Sequence, residues 1–306
     1  MIFQKVFPKN YAELAPFFKD QRYDLCSYSI ASILAWNNQY FWPEVAEKDG
    51  FLVIRADYAD PKKPAHLLLP IKPQAEMAAP ELAALAKEAD APEVWFVTED
   101  WIARQDRKQM ETLFSVERDP RFDDYVYLAS DLAELAGDKY HKKRNLIHQF
   151  ERLYGQNGMV VVSPIDSGSL DACLVFLEEW CKERDCNTED DDLACERDAA
   201  ENALRALAEN GEKSGWRGIL LSLDGKVSAL AMSSDVTRSM GSLNFEKAFS
   251  SIKGLYQVFD RECARRLFPG QELINKESDM GIPGLAKAKK SYHPIRKVKS
   301  FLLRLA

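Results

Sequence analysis

The sequence predicts an α/β protein with mixed sheets, built as two halves of similar size. Three observations lead there. The chain has 306 residues, about twice what one ordinary core serves, so two domains of roughly 150 residues each are expected. Short apolar strand-like runs alternate with helical patterns through both halves. In the second half several strand-like runs follow one another between helices, which argues for a mixed rather than an all-parallel sheet.

In the first half, NYAELAPFFKDQ reads as a helix with Asn10 as its N-cap and Pro16 as an interruption. The aromatic stretch YDLCSYSIASILAWNNQYFWPE suits a buried helix or turn. GFLVIRAD and AHLLLPI read as strands joined by the turn-like YADPKKP. APELAALAKEAD is a helix entered through Pro80, EVWFVTED a strand, DWIARQDRKQMETLF a helix, and DDYVYLASDLAEL a strand followed by a turn or short helix. In the second half, GMVVVSPI is a strand, and SLDACLVFLEEWCKER and TEDDDLACERDAAENALRALAEN are helices. Thr188 is the expected cap of the second of these, and three Asp in its first turn favour the helix dipole. WRGILLSLDGKVSALAMSSDV is a hairpin turning at Asp224-Gly225. GSLNFEKAF follows as a strand, GLYQVFDRECARRLF as a helix, QELINKE as a strand, IPGLAKAKKSY as a helix and IRKVKSFLLRL as one last strand.

Composition narrows the function classes. Hydrophobic residues make up 46% and charged residues 29% of the chain, as in a globular protein that stays in water. No apolar run approaches the roughly 20 residues of a membrane span, and the N-terminal stretch lacks the basic and apolar regions of a signal peptide, so a cytoplasmic location is expected. Cys26, Cys173, Cys181, Cys186, Cys195 and Cys263 show no CxxC spacing and no neighbouring histidine, which suggests free thiols and no metal site. No Ser/His/Asp arrangement, Walker loop or HExxH motif is present. The net charge is −7, yet it is uneven: residues 178–201 carry eleven acids against three bases, and residues 280–306 carry seven Lys or Arg and no acid. Local patches rather than net charge set phosphate contacts, so nucleic acid is not excluded.

The stretch GDKYHKKRNLIHQF, residues 137–150, concentrates bases and two of the four histidines near the chain's midpoint. At about 100° per residue, His141, Asn145, His148 and Arg152 fall in one narrow polar stripe, and Ile147, Phe150 and Leu153 on the opposite side. Lys139 and Lys143 fall within the apolar azimuth. Either they snorkel from a solvated helix or they meet anions; the expectation is that both face a cleft between the halves.

DDYVYLASDLAELAGDKYHKKRNLIHQFERLY, CERDAAENAL, NFEKAFSSIKGLYQVFDREC and INKESDMGIPGLAKAKKSYHP, in that order, resemble the C-terminal domain of bacterial phosphatidylglycerol lysyltransferases and their soluble relatives. The resemblance covers most of the chain and is strongest over residues 123–294. It implies two tandem GNAT-like acyltransferase domains, residues 1–136 and 156–306, bridged by a basic helix at 137–155. It also implies transfer of an aminoacyl group from aminoacyl-tRNA to an amine or hydroxyl acceptor, with no tightly bound cofactor. Two alternatives are an acyl-CoA-dependent N-acyltransferase acting on a small amine and a non-catalytic binding protein on the same fold. The loop where GNAT enzymes cradle a pyrophosphate with [RQ]-x-x-G-x-[GA] reads SIKGLY here, with Ser251, Gly254 and Tyr256 at the pattern positions; the Ser and the bulky Tyr weaken the CoA reading. An Arg usual in the family is Lys276 here, which keeps charge but loses the forked guanidinium.

Such a transfer needs positioning, proton removal and oxyanion stabilisation. Glu246 is the candidate base, with pairing to its neighbour Lys247 as the plain structural alternative, and Tyr256 is a candidate hydroxyl donor. Glu277 and Asp279 could bind the donor's ammonium, with Lys247, Asn275, Tyr292 and Glu196 as further substrate contacts; Asp279 could instead cap the helix that follows. Lys139, Lys142, Lys143, Arg144, Arg152, Lys287 and Lys289 are the candidates for tRNA phosphates.

Overall fold

The computed structural model describes residues 1–155, 159–183 and 191–306, with backbone alone over 191–195. The expected cap at Thr188 and Cys186 lie outside the described residues. Fourteen strands are described: β1 (Gln4–Lys5), β2 (Phe41–Lys48), β3 (Phe51–Tyr58), β4 (His66–Leu67), β5 (Glu93–Thr98), β6 (Phe114–Arg118), β7 (Asp124–Leu128), β8 (Val160–Pro164), β9 (Trp216–Leu223), β10 (Lys226–Thr237), β11 (Met240–Ala248), β12 (Leu273–Asn275), β13 (Arg296–Val298) and β14 (Ser300–Leu305). They form two seven-stranded sheets, and both are mixed.

The first sheet runs β1-β2-β3-β4-β5-β14-β6 and the second, read from its far edge, β8-β9-β10-β11-β12-β7-β13. The orders correspond position by position. In each sheet the fourth and fifth strands form the parallel pair, β4 with β5 and β11 with β12, and every other pair is antiparallel. The hairpin joining the second and third strands turns on Asp-Gly in both: Asp49 (φ 53°) with Gly50 (φ 75°), and Asp224 (φ 48°) with Gly225 (φ 78°). Two consecutive positive φ angles are what a two-residue turn matching strand twist requires.

The sixth strand of each sheet is contributed by the other half. β7 leaves the first half to lie between β12 and β13, and β14 returns from the end of the chain to lie between β5 and β6. The single last strand expected over IRKVKSFLLRL is therefore two strands in two sheets. They part at Lys299, which reaches Glu99 at 2.6 Å.

Helices cover both faces of the second sheet. On one face, His141–Tyr154 and Leu255–Arg266 bury Ile147, Phe150, Leu255, Val258 and Phe259 against Leu221, Ala231 and Leu243. On the other, Leu170–Glu183 and Asp191–Asn210 bury Cys173, Phe176, Ala200 and Leu204 against Leu220, Leu230, Met232 and Phe245, together with Ala31 and Ala35 from the first half. Two expected helices are broken. NYAELAPFFKDQ splits into short turns on either side of Leu14, because Pro16 removes an N–H donor. DWIARQDRKQMETLF splits at Asp106, whose side chain caps a second helix, Arg107–Leu113. Among the described residues no helix is long and apolar enough to cross a membrane, and no group of three or more His, Cys, Asp or Glu is placed to hold a metal ion.

Candidate active site at the opening of the second sheet

In both sheets the parallel pair stays together for two or three residues and then parts. β4 and β5 last pair at Leu67–Val94, and β11 and β12 at Ser242–Asn275. Two residues beyond each last pair, the fifth strand passes through a left-handed residue, Phe96 (φ 57°) or Glu277 (φ 58°). Such backbone is costly for a residue other than glycine and persists where its surroundings hold it.

The two openings are filled differently. In the first sheet the fully buried Tyr28 hydroxyl accepts the Leu69 N–H (3.2 Å) and donates to the Phe96 carbonyl (3.0 Å), so it rejoins the parted strands. The three residues joined there, Tyr28, Leu69 and Phe96, are uncharged. In the second sheet the corresponding positions are Asn244 and Glu277, bridged by an Asn244 Nδ2 to Glu277 Oε1 hydrogen bond of 3.0 Å. The charged groups gather around this second opening.

A β-bulge aims them. The β10–β11 register jumps from Met232–Phe245 to Ser233–Leu243, which leaves Asn244 as the extra residue. Leu243 and Phe245 would share a face in a regular strand; here they enter opposite cores. Beyond the bulge, Glu246 faces the helix Leu255–Arg266 and Lys247 the other side, where it forms an ion pair with Glu196 and lies 4.3 Å from the Trp180 ring centre. Glu246 and Lys247 therefore do not pair with each other, because adjacent strand residues point to opposite faces.

Glu246 instead lies 3.0 Å from Lys276, which also holds Asp260 at 2.6 Å; their side chains are 15%, 12% and 4% exposed. Burial, then Asp260, push the Glu246 carboxyl up to about 7, with Lys276 pulling back. Burial alone would lower the Lys276 ammonium, but Asp260 and Glu246 outweigh it and hold it above its ordinary value. Lys143 reaches the same group from the central helix: its Nζ lies 3.6 Å from the Tyr292 ring centre and 2.7 Å from Ser291 Oγ, and burial lowers it to about 8. Burial, followed by Asp260 and Glu246, raises the Tyr292 phenol. Tyr256 is half-buried against this core.

A second cluster adjoins the first. Burial raises Glu277 to about 8 against the pull of Lys289, whose Nζ donates to the carbonyls of Lys276 and Glu277. Asn275 is fully buried. It donates to Asp124 (2.8 Å) and to the Asp24 carbonyl (3.1 Å) and accepts the Glu277 N–H (2.7 Å). Asp124 also takes the Cys26 N–H at 2.7 Å, and burial raises its carboxyl. Asp279 accepts from the Tyr125 hydroxyl (2.5 Å) and the Gly281 N–H (2.9 Å) and does not cap the following helix, whose N-cap is Ile282. A directed chain runs in from the first half. Ser234 Oγ donates to Asn244 Oδ1 (2.6 Å), which turns the amide's N–H toward Glu277, and Ser29 Oγ lies 2.6 Å from Ser234 Oγ.

The phosphate candidates separate. Lys142, Arg152 and Lys287 are exposed, and the expected stripe His141, Asn145, His148 and Arg152 faces solvent. Arg144 holds the carbonyls of Leu135 (2.5 Å) and Gly137 (2.6 Å). Lys143 and Lys289 turn inward. Lys139 does not join Lys143: it pairs with Asp131 at 2.8 Å and is 45% exposed. It belongs to the 3₁₀ turn Asp138–Tyr140, where the 100° step used to place it does not apply.

The loop SIKGLY also has its geometry. Gly254 (φ 85°) opens the helix Leu255–Arg266, and a Cβ there would meet the Leu146 carbonyl of the central helix at 2.4 Å. Just before it, the Glu183 carboxylate accepts four hydrogen bonds: Ser250 N–H (2.7 Å), Ser250 hydroxyl (2.6 Å), Ser251 N–H (3.1 Å) and Ser251 hydroxyl (3.1 Å).

The family model for the C-terminal region of phosphatidylglycerol lysyltransferase matches residues 21–304. The chain belongs to this family. A conserved protein of unknown function from Bacteroides thetaiotaomicron superposes with a TM-score of 0.85 at 27% identity, covering 100% of both chains. The C-terminal domain of a candidate lysylphosphatidylglycerol synthetase from Agrobacterium fabrum gives 0.63 at 11%, covering 97% of this chain and 91% of that one. A tandem GNAT protein from the clavulanic acid biosynthesis pathway gives 0.51 at 10%, covering 99% and 98%. The last two likenesses show the fold alone. No curated protein matches the sequence. Family and fold together indicate an acyl- or aminoacyltransferase of the GNAT-like type.

Sequence reasoning missed Asp260, Asn244, Asp124 and Glu183 as parts of this region, and Tyr28 as the bridge across the opening of the first sheet. Asp260 had a signal, an acid among Val258, Phe259, Cys263 and Ala264 on the buried side of its helix. Asn244 and Tyr28 had none, since a bulge and a bridge across parted strands exist only after folding.

Proposed function

We propose that the chain transfers an aminoacyl group from aminoacyl-tRNA to an amine or hydroxyl acceptor at the opening between β11 and β12, with no tightly bound cofactor. The observation that carries this is the pair of carboxyls there, Glu246 and Glu277, both held near neutrality in their proton affinity. Glu246 is the base. It takes the proton from the attacking amine or hydroxyl as the new C–N or C–O bond forms, and it returns that proton to the ribose oxygen as the ester C–O bond breaks. A base whose proton affinity matches the working pH is the efficient one. An ammonium beside Glu277 favours that carboxyl's ionised form, so Glu277, with Glu196 nearby, suits the donor's ammonium, and Lys142, Arg152 and Lys287 supply exposed cations for the tRNA backbone.

The test is transfer from aminoacylated tRNA with hydroxylamine as acceptor. Glu246→Gln should lower kcat/KM by roughly 10² to 10⁴ and remove a limb that rises through about pH 7. tRNA binding should weaken steeply with salt, and the slope should fall in K142A/R152A/K287A. The second reading is acyl-CoA-dependent N-acylation. Acyl transfer from acetyl-CoA by the wild type, with no transfer from aminoacyl-tRNA, would replace the first reading with it.

A further inference from the structure

Glu183 closes the last turn of the helix Leu170–Glu183, and its carboxylate is received by a built seat. Two backbone N–H groups and two hydroxyls from Ser250 and Ser251 converge on it within 2.6–3.1 Å. Those donors, led by the Ser250 hydroxyl, hold the carboxyl below its ordinary range. The seat immediately precedes the N-terminus of the twelve-residue helix Leu255–Arg266, whose dipole favours an anion there. Gly254 allows the loop to press on the central helix, so the seat is held from two sides.

Its position relates it to the opening. Ser250 lies four residues past Glu246 on the segment leaving β11, and Asp260, the partner of Lys276, is six residues into the helix, roughly 9 Å along its axis. An elongated substrate with one oxyanion in the seat would lie along this helix with its other end at Glu246. Four converging donors are the chemistry that takes a phosphate or pyrophosphate oxygen. Here the chain's own carboxylate sits in that place.

We infer that Glu183 is a specificity determinant: an internal anion that occupies the oxyanion seat and excludes acyl donors anchored by phosphate groups, coenzyme A thioesters among them. This rests on the acyltransferase reading of the opening and narrows its donor class. A phosphorylated donor has to displace Glu183 and place its own charge beside it, and like charges at that distance repel. A donor anchored elsewhere on the surface, as an RNA backbone would be by Lys142, Arg152 and Lys287, is not affected.

The experiment is calorimetric titration of the full chain with coenzyme A and, separately, inorganic pyrophosphate. Wild type should give no saturable binding. Glu183→Ala, and more weakly Glu183→Gln, should bind both with a gain of about tenfold or more in affinity. E183A/S250A/S251A should lose most of that gain. Glu178→Ala is the control, because it removes the same charge from an exposed position on the same helix. The proposal is overturned if wild type binds coenzyme A as tightly as E183A, if E183A keeps its circular dichroism but gains nothing, or if E178A gains as much. Binding is read without turnover, so a failure of aminoacyl transfer in the activity assay counts against the proposed reaction and leaves these outcomes to decide the role of Glu183.

Discussion

Replacing Lys276 with Met should destabilise the protein, and more so at high pH. The ammonium lies 3.0 Å from Glu246 and 2.6 Å from Asp260, with all three side chains at most 15% exposed. Removing one partner of a buried ion pair costs roughly 3–5 kcal/mol, because a charge is left uncompensated; here two carboxylates lose their shared cation and face each other. At roughly 2 °C per kcal/mol for a chain of this size, the melting temperature should fall by about 6–10 °C. The pH dependence follows from Glu246. Its folded carboxyl titrates near 7, against 4.5 ordinarily, so between these values the folded state holds a proton that the unfolded chain has released, and stability falls as pH rises. Without Lys276 the carboxyl moves higher still. The deficit should be largest at about pH 8 and shrink toward about pH 5, as the Glu246 carboxyl is neutralised. Lys276→Arg keeps the charge and can fork to both acids, so it should recover most of the loss. Differential scanning calorimetry of the three proteins at both pH values reads this directly. A K276M protein that melts within about 2 °C of wild type at high pH, or a deficit that grows on acidification, would refute the account of a buried, cation-dependent carboxylate pair.

Three further outcomes are expected. Tyr28→Phe keeps the ring but leaves the Leu69 N–H and the Phe96 carbonyl without their bridge, so chemical denaturation should report a loss of about 1–3 kcal/mol, with transfer activity unchanged because the charged opening is in the other sheet. Gly254→Ala forces a Cβ against the Leu146 carbonyl at a φ of 85°, and the helical circular dichroism signal should melt earlier, by at least the roughly 1 kcal/mol of left-handed strain. Deleting residues 300–306 removes β14, the strand paired with β6, and should give an aggregating product by size-exclusion chromatography.

The sequence displays what depends on local pattern. The Asp224-Gly225 hairpin, the amphipathic stripe from His141 to Arg152 and the mixed second sheet follow from turn chemistry, helix period and element order. The twin of that hairpin at Asp49-Gly50 was equally visible, but the aromatic run before it hid β2 inside an expected helix or turn. Lys143 lay in the apolar azimuth and does turn inward, whereas Lys139, one turn earlier, follows 3₁₀ geometry and stays at the surface. Glu246 and Glu277 are recognisable as acids near strand ends. Their partners are not, because Lys276, Asp260 and Asn244 converge through a bulge and through packing between distant segments. The exchange of β7 and β14 was beyond local pattern altogether: RKVKSFLLRL reads as one strand, and only pairing assigns its two parts to different sheets.

That exchange also sets an order of events during synthesis. Among the described residues β6 has β14 as its only strand partner, and Ser300 comes 182 positions after Arg118. At ribosomal rates of about 5–20 residues per second, β6 and the adjoining edge of β5 wait roughly 10–40 s for the strand that joins them. Over that interval the nascent first half presents an open edge able to pair with a neighbouring chain. β7 is already made when the second sheet begins to assemble, so that sheet can close first, and its closure draws β13, and with it β14, back toward the waiting first half.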